Sequence, residues 1–162
     1  MLSVSVDGFN AVQARLDAYP TALASGLTQK VNALASALVD KVKFEKLAGE
    51  VLNARSGALS ASIAAEISSD AEDVSASVGS FGDVKYAAIQ EYGGRTGAHE
   101  ILPDKARVLA FFAEGAMRFA RKIEHPGSVI PERSYLRSSL EEMQAEIETA
   151  LAATASEAWE DA

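Results

Sequence analysis

TALASGLTQKVNALASALVDKVKF, residues 21–44, has the clearest helical pattern in the chain. Its large apolar residues recur at steps of four and three, which places them on one face of an α-helix. Alanines fill many of the intervening positions and favour helix. The stripe consists of Leu23, Leu27, Val31, Leu34, Leu38 and Val42. We predict a helix from about Thr21 to Phe44, roughly 35 Å long. A shorter helix from Phe9 to Tyr19 is expected to end before Pro20.

The C-terminal end carries a second helical stripe. Pro131 precedes a helix predicted over about 132–160, which at roughly 42 Å would nearly match the width of a domain of this size. Part of it is therefore expected to project or to pack on another subunit. The stripe consists of Leu136, Leu140, Met143, Ile147, Leu151, Ala155 and Ala158. Because each buried Leu or Ile contributes ~1.5–3 kcal/mol, both stripes are interpreted as core or interface.

Between the two helices the apolar period changes from helical to two. Alternation over 65–69 and 74–78, separated by the turn 70–73, predicts a β-hairpin. Further strand candidates are residues 2–6, 108–112 and 117–123, and residues 95–106 are expected to form a polar loop. The prediction is an α+β fold, with an antiparallel sheet in the middle of the chain flanked by a long N-terminal helix and a long C-terminal helix. It is expected to be a single domain over 1–162.

Composition narrows the class of protein. The 162 residues are 48% apolar and 23% charged, an ordinary balance for one globular domain. Cysteine is absent, so disulfides, zinc-thiolate sites and a cysteine nucleophile are excluded in this chain. No apolar run approaches the roughly 20 residues of a membrane span. Met1 to Asp7 has neither a basic stretch nor an apolar core, so no signal peptide is expected.

The charge is unevenly distributed along the chain, whose net charge is −8. Residues 105–137 hold seven basic side chains, and residues 138–162 hold seven acidic ones and no basic one. The basic set is Lys105, Arg107, Arg118, Arg121, Lys122, Arg133 and Arg137; the acidic set is Glu141, Glu142, Glu146, Glu148, Glu157, Glu160 and Asp161. Such complementarity would orient copies of the chain head to tail. The alternative is a solvated helix face.

Motifs for catalysis or cofactor binding are not found. His99 is followed by Glu100 in a loop, and adjacent residues seldom ligate one metal. Gly93 to Gly97 has no following Lys-Ser/Thr pair, and there is no Gly-x-Ser-x-Gly elbow. We therefore expect a protein that is not an enzyme and has no cofactor and no metal. A small hydrolase with unfamiliar motifs is the alternative.

The basic cluster also contains aromatic residues, namely Phe111, Phe112, Phe119 and Tyr135. Basic and aromatic side chains together can bind single-stranded nucleic acid. Most of these aromatics fall on predicted strand faces, where core packing is the simpler interpretation. A subunit interface or the lining of a passage is preferred, and a nucleic-acid-binding module is the alternative.

Four segments, in order, resemble a known family. Residues 85–94, KYAAIQEYGG, resemble the Tyr-Ala-x-x-x-Glu-Phe/Tyr-Gly-Gly segment of phage tail-completion and neck proteins, the tail-component family first described in lambdoid phages of the HK type. Residues 54–63, ARSGALSASI, are similar to its Arg-Thr-Gly-x-Leu-x-x-Ser-Ile segment, and His125-Pro126-Gly127 to its His-Pro-Gly turn. Residues 133–140, RSYLRSSL, are similar to Arg-Pro-Phe-Leu-Arg-Pro-Ala-Leu.

The resemblance covers about 54–140 and has departures. Ser134 and Ser138 replace prolines and Tyr135 replaces phenylalanine, which is expected to loosen the start of the last helix. The acidic C-terminal extension has no counterpart that can be carried over.

This resemblance implies a structural virion protein of the head–tail connection of a long-tailed bacteriophage. It would form a homo-oligomeric ring, a hexamer, that completes the tail and joins it to the head. Expected partners are copies of itself and neighbouring head-completion, tail-terminator or tail-tube proteins, with DNA only passing through the channel and no membrane. The expected location is the virion neck or tail, after assembly in the host cytoplasm. A tail terminator or minor tail protein is the alternative within the same virion.

The resemblance also implies modest structural roles for the matched residues. Arg55 and Gly57 would shape a loop before Leu59. In the short helix, Tyr86, Ile89 and Tyr92 would pack and Glu91 would pair with Arg133 or Arg137. Gly93 and Gly94 would end that helix. His125, Pro126 and Gly127 would form a turn, and Tyr135 and Leu136 would seat the last helix on the sheet.

Overall fold

A computed structural model of the protein describes residues 8–52, 56–70, 73–104 and 106–161. The helices are α1 (Phe9–Lys41), continued by a π-helical turn (Val42–Lys46), α2 (Ala58–Ser62), α3 (Ala87–Tyr92) and α4 (Leu136–Asp161). The strands are β1 (Ile63–Ser69), β2 (Val74–Ser80), β3 (Gly94–Arg95), β4 (His99–Ile101), β5 (Leu109–Ala113), β6 (Ala116–Ala120), β7 (Ile123–His125) and β8 (Val129–Ile130). The predicted α+β fold is confirmed. The strand predicted at residues 2–6 lies outside the described residues.

The chain divides into two compact units. The helical unit comprises the described residues of 1–87 and 134–162, with α1, α2, the β1–β2 hairpin and α4. The strand unit is Ala88–Arg133 and holds β3 to β8. That the two form a single domain stays a prediction.

Helix α1 runs without interruption through Pro20, so the prediction of two helices separated at this proline was wrong. Proline removes one backbone hydrogen bond and crowds the preceding turn, which usually ends a helix. Here the Pro20 ring is exposed, and α1 packs on α4 on both sides of it. Before it, the Tyr19 hydroxyl donates to Ala155 O at 3.4 Å. After it, Gly26 approaches Thr154 so closely that an added Cβ would lie 3.0 Å from the threonine methyl.

Helix α4 lies antiparallel to α1. Near its start Glu142 contacts Lys41 at 2.9 Å, and at its end Glu160 O accepts from Arg15 at 3.1 Å. The helix begins at Leu136, four residues later than predicted. Its buried face also differs from the predicted stripe: Ser139 and Thr154 are buried, whereas Leu140 is 50% exposed.

The small polar residues tolerate burial because their hydroxyls bond within α4. Ser139 Oγ donates to Tyr135 O at 2.7 Å, and Thr154 Oγ1 donates to Ala150 O at 2.9 Å. Satisfied in this way, a hydroxyl costs little when buried, and its small size lets the two helix backbones approach.

One apolar core holds the helical unit together. It joins the end of α1, the hairpin and the first turns of α4, through Leu38, Val42, Leu47, Ile63, Tyr135 and Met143. Strands β1 and β2 pair antiparallel from Ile63–Ser80 to Ser69–Val74, as the alternating pattern predicted. Beyond this core, towards the N-terminus of α1, the two long helices pack on each other and form a two-helix arm.

The strand unit contains three separate antiparallel pairs, β3–β8, β4–β7 and β5–β6, instead of one continuous sheet. The polar loop predicted over 95–106 was wrong in part, because β4 and the end of β3 lie in it. The strand predicted over 117–123 is two strands, since β6 ends at Ala120 and β7 begins at Ile123.

Candidate assembly surfaces

The β5–β6 hairpin turns at Glu114 and Gly115, both with positive φ (53° and 78°). A two-residue turn of this kind matches the twist of the flanking strands and fixes their register. The register pairs Ala110 with Phe119 and Phe112 with Met117. Directly opposed residues point to the same face of a hairpin, and residues two apart in a strand share that face. These four side chains therefore form one face, named here the hairpin outer face.

Every side chain of the hairpin outer face is apolar and exposed. Phe112 is 71% exposed, Phe119 67% and Met117 55%, and Ala110 is exposed as well. The opposite face holds the half-buried Leu109, Ala113 and Ala120. This opposite face is covered only in part, because Phe111, Ala116 and Arg118 on it are exposed. The outer face, with two phenylalanine rings, is the fully exposed one.

The interpretation of the aromatics as core residues was thus wrong for Phe112 and Phe119, and Phe111 is 37% exposed. In sequence, an apolar residue at every position of a strand gives no indication of which face is covered. The signal for the register is the Glu114-Gly115 turn between the two apolar runs.

Among the described residues of the strand unit, no apolar side chain is buried. Large exposed apolar side chains are instead frequent in it: Tyr92, Ile101, Leu102, Val108, Phe111, Phe112, Met117, Phe119 and Val129. Isolated two-stranded ribbons are marginally stable in water. The described residues of the strand unit therefore contribute little apolar core of their own.

A second exposed apolar surface lies at the end of the two-helix arm, named here the arm tip (residues 9–19 and 157–161). Phe9, Val12 and Leu16 are 66%, 54% and 56% exposed, and their spacing places them on one side of α1. On α4, the Trp159 ring packs edge-on against Tyr19 with centroids 5.5 Å apart and remains 40% exposed. The helix was predicted from sequence, but this exposed stripe was not.

The segments that carry the two surfaces differ in the sign of their charge. Residues 106–122, which contain the hairpin, hold four cations and one carboxylate: Arg107, Arg118, Arg121 and Lys122, with Glu114. The arm tip holds four carboxylates and one cation: Asp17, Glu157, Glu160 and Asp161, with Arg15. Lys105 of the predicted basic cluster lies outside the described residues.

Two of the four cations in residues 106–122 are in ion pairs within the chain, and two are not paired with any described residue. Arg118 bonds Glu114 at 2.7 Å and Lys122 bonds Glu100 at 2.8 Å. Arg107 and Arg121 are exposed and have no ion pair with any described residue.

The glycine pair after α3 ends that helix, as the resemblance implies. Gly93 has φ 67°, and a Cβ there would lie 2.7 Å from Glu132 N and 3.0 Å from Ile130 O. Gly94 lies against Ile89, because a Cβ added at Gly94 would lie 3.2 Å from the Ile89 side chain. Tyr86 and Tyr92, expected to pack the helix, are 44% and 64% exposed, so that expectation was wrong.

Two other residues of the resemblance are buried. Glu91 is 2% exposed, whereas Arg133 and Arg137 are exposed, and the predicted pairing stays a prediction. Tyr135 is 1% exposed, and its hydroxyl donates to Ala87 O at 3.3 Å. Leu136 packs against the core beside it, so the start of α4 is seated in the helical unit.

Ser134 and Ser138, which stand where the resembled segment has prolines, bond to each other at the start of α4. The Ser138 amide donates to Ser134 Oγ at 3.2 Å, and Ser138 Oγ donates to Ser134 O at 2.6 Å. This is helix capping by a side chain, which stabilises a first turn. Whether these serines loosen the start of the helix stays a prediction.

The turn at 125–127 is closed by two features. The Gly127 amide donates to His125 Nδ1 at 3.0 Å, and Gly127 has φ 87°, a conformation that side chains disfavour. A Cβ on Gly127 would also collide with Thr96 O. Pro126 is exposed, and the His125 ring stacks on His99 with centroids 5.0 Å apart.

Of the segment 54–63, which resembles the family's Arg-Thr-Gly-x-Leu-x-x-Ser-Ile, the structure describes residues 56–63. Arg55 lies outside the described residues. Gly57 has φ 73° immediately before α2, and Leu59 packs against the core of the helical unit. The Ala58 amide donates to Ser56 Oγ at 3.4 Å.

In one cluster of charged side chains, the pKa values of Lys46 and Glu142 are shifted from their ordinary values. The Lys46 side chain is 4% exposed, and its Nζ contacts Glu50 and Glu142, each at 2.7 Å. Hydrogen bonds from Lys46, and then from Lys41, lower the pKa of Glu142 below its ordinary value. The hydrogen bonds that Lys46 donates to Glu142 and Glu50 raise its own pKa. The cluster joins the π-helical turn to α4, which is a structural role.

Within the described ranges, no three His, Cys, Asp or Glu side chains are grouped so that they could hold one metal ion. In the same part of the chain, no helix has the length and apolar character required to cross a membrane. Comparison of the chain with known protein families, with curated proteins and with solved structures finds no match.

Proposed function

We propose that this chain is a structural subunit of the head–tail connection of a long-tailed bacteriophage, and that it forms a ring which completes the tail and joins it to the head. The observation that carries the assembly part of this proposal is the hairpin outer face, in which Phe112, Met117 and Phe119 are each more than half exposed. Contiguous exposed apolar surface of this kind marks an interaction site.

The strand unit supports the same conclusion. Its described residues bury no apolar side chain, so its ribbons gain little stability from a core of their own. Packing against another subunit would supply the missing burial, at about 25 cal/mol per Å² of apolar surface.

The neck position is supported by the four ordered segments that resemble tail-completion proteins. Their described residues include glycines at positions with positive φ, namely Gly57, Gly93 and Gly127. Such positions are restrictive because a side chain there is strained. The matched segments therefore coincide with backbone conformations that need those residues.

A stop codon early in the gene, in the phage or prophage that encodes the chain, tests the neck assignment. We expect filled heads and separate tails of normal length in electron micrographs of the lysate, and joined particles when the intact gene is supplied in trans. Joined, infectious particles without the protein would contradict the proposal. Separate tails of uneven length would favour the tail terminator, because a terminator stops growth of the tube.

A nucleic-acid-binding module is the second candidate, and one observation favours it. Phe111, Phe112 and Phe119 are exposed in the same segment as Arg107 and Arg121, which have no ion pair with a described residue. Exposed aromatics together with arginines can stack bases. The net charge of −8 opposes it. This candidate predicts DNA affinity that falls steeply with salt concentration, which a fluorescence titration at several salt concentrations measures.

A further inference from the structure

We infer that the hairpin outer face of one subunit docks on the arm tip of the next copy of the chain. This inference rests on the proposed ring and specifies its interface: the occupant of the hairpin outer face is a second copy, held through Phe9, Val12, Leu16 and Trp159.

Neither surface is covered by the residues that the structure describes. Phe112 and Phe119 on the hairpin are 71% and 67% exposed, and Phe9 on the arm is 66% exposed. When a partner covers exposed aromatic side chains, their large apolar area is removed from water. Such side chains are therefore the main contributors to binding.

Charge complementarity selects the arm tip as the partner. The hairpin segment, residues 106–122, holds four cations and one carboxylate, and its Arg107 and Arg121 have no ion pair with a described residue. The arm tip holds four carboxylates and one cation. Two hairpin faces placed together would oppose like charges, as would two arm tips, and like charges at an interface suppress the wrong pairing. Hairpin on arm is the pairing in which both the apolar and the charged parts match.

The pairing is heterologous, because a different surface of each subunit is used. A repeated heterologous contact generates a closed ring when the rotation between neighbours closes, and an open filament when it does not. Each subunit in a closed ring uses both surfaces once, so no apolar surface of this pair remains exposed.

Two double variants of the full chain separate the surfaces. The hairpin variant Phe112→Ser/Phe119→Ser and the arm variant Val12→Ser/Leu16→Ser change exposed side chains, so we expect unchanged circular dichroism. Loss of two apolar contacts should raise the concentration for half-assembly at least ~100-fold in each case, as light scattering after size exclusion reports.

Mixing the two variants gives the decisive result. The hairpin variant retains an intact arm tip, and the arm variant retains an intact hairpin outer face. One native interface can therefore form between them and no second one, so the mixture should contain a 1:1 heterodimer that does not grow into a ring. Native mass spectrometry with one variant isotopically labelled identifies that species.

Charge reversal provides an independent test. Arg107→Glu/Arg121→Glu should reduce assembly, and combining it with Asp17→Lys/Glu160→Lys in the same chain should restore it at low salt. If Arg107 and Arg121 served to bind DNA, they would not contact the arm tip. The added changes Asp17→Lys/Glu160→Lys would then not restore assembly.

Phe44→Ser is the matched control, because Phe44 is a phenylalanine 73% exposed in the π-helical turn that continues α1, at the end away from the arm tip. It should assemble as the native chain does, and an equal loss of assembly would overturn the inference. An arm variant that still assembles would show that the hairpin outer face meets another surface, and would also overturn it. A ring that both double variants leave intact would overturn the inference while the proposed function stands. A chain that stays monomeric and binds DNA in a salt-sensitive way would overturn both.

Discussion

Gly127 occupies a position at which no side chain fits. Its φ of 87° lies in the left-handed region, and an added Cβ would collide with Thr96 O. The same turn brings the Thr96 amide to Ser128 O at 2.9 Å and the Ser128 amide to Thr96 Oγ1 at 2.7 Å. One backbone position therefore fixes the pairing of β3 with β8.

Gly127→Ala should destabilise this pairing by about 1–3 kcal/mol, through strain at positive φ and the displaced Thr96 carbonyl. Hydrogen exchange measured by NMR should show faster exchange of the Thr96 and Ser128 amides. Gly97→Ala is the control, because nothing lies within 4 Å of a Cβ at Gly97. Equal protection in both variants would contradict the structural role of Gly127.

Glu142 is a second residue whose role a single substitution can test, because its carboxylate forms ion pairs with both Lys41 and Lys46. Its lowered pKa means that its contribution to stability is present above the ordinary pKa of 4.5 and is lost as pH falls through the lowered value. The raised pKa of Lys46 means that the lysine's contribution is present below its ordinary pKa of 10.5 and is lost as pH rises through the raised value.

Glu142→Gln should therefore lower the Tm across the neutral range, and the difference from the native chain should shrink below about pH 4. Thermal melts between acidic and neutral pH measure it. Glu146→Gln, one turn further along α4 and without an ion pair to a described residue, should leave the Tm unchanged. A Glu142→Gln difference that persists at low pH would indicate lost packing instead of a lost charge interaction.

At the scale of elements, the pattern of apolar residues predicts the long helices and the β1–β2 hairpin well. Helical stripes and strict alternation are local signals, and burial of one face makes them visible in the sequence. Strands such as β3 and β4 are not visible, because two or three residues carry no period. Gly94 pairs with Ile130 and His99 with His125, so these strands are defined by partners distant in sequence.

In helix α1 a strong local signal gave the wrong prediction, because the helix continues through a proline. Pro20 disfavours helix, but packing of α1 on α4 before and after it keeps the helix continuous. The proline therefore remains a local cost within a helix stabilised by its neighbour.

Pro20→Ala should accordingly raise the free energy of unfolding by about 1–3 kcal/mol, because it restores a backbone hydrogen-bond donor and removes the crowding of the ring. Chemical denaturation followed by far-ultraviolet circular dichroism measures it. Thr21→Ala, at the adjacent exposed position, should change the stability by no more than about 0.7 kcal/mol. A neutral or destabilising Pro20→Ala would contradict this description of α1.

At the scale of the whole molecule, the sequence predicted the fold class and an uneven distribution of charge, but not the surfaces that this charge accompanies. The basic middle of the chain was visible because charge can be counted. The hairpin outer face was not, because apolar residues such as Phe112 and Phe119 are the same letters in a core and on an exposed interface. The arm tip was hidden for the same reason.

The central claim is that this chain is a subunit of an assembly, and its mass in solution tests that claim most directly. We would measure the mass of the purified native chain by light scattering over a range of concentrations, and image the largest species by electron microscopy. We expect a discrete ring, with six copies as the expected number. A 17.0 kDa monomer at every concentration, with the hairpin outer face still exposed, would contradict it.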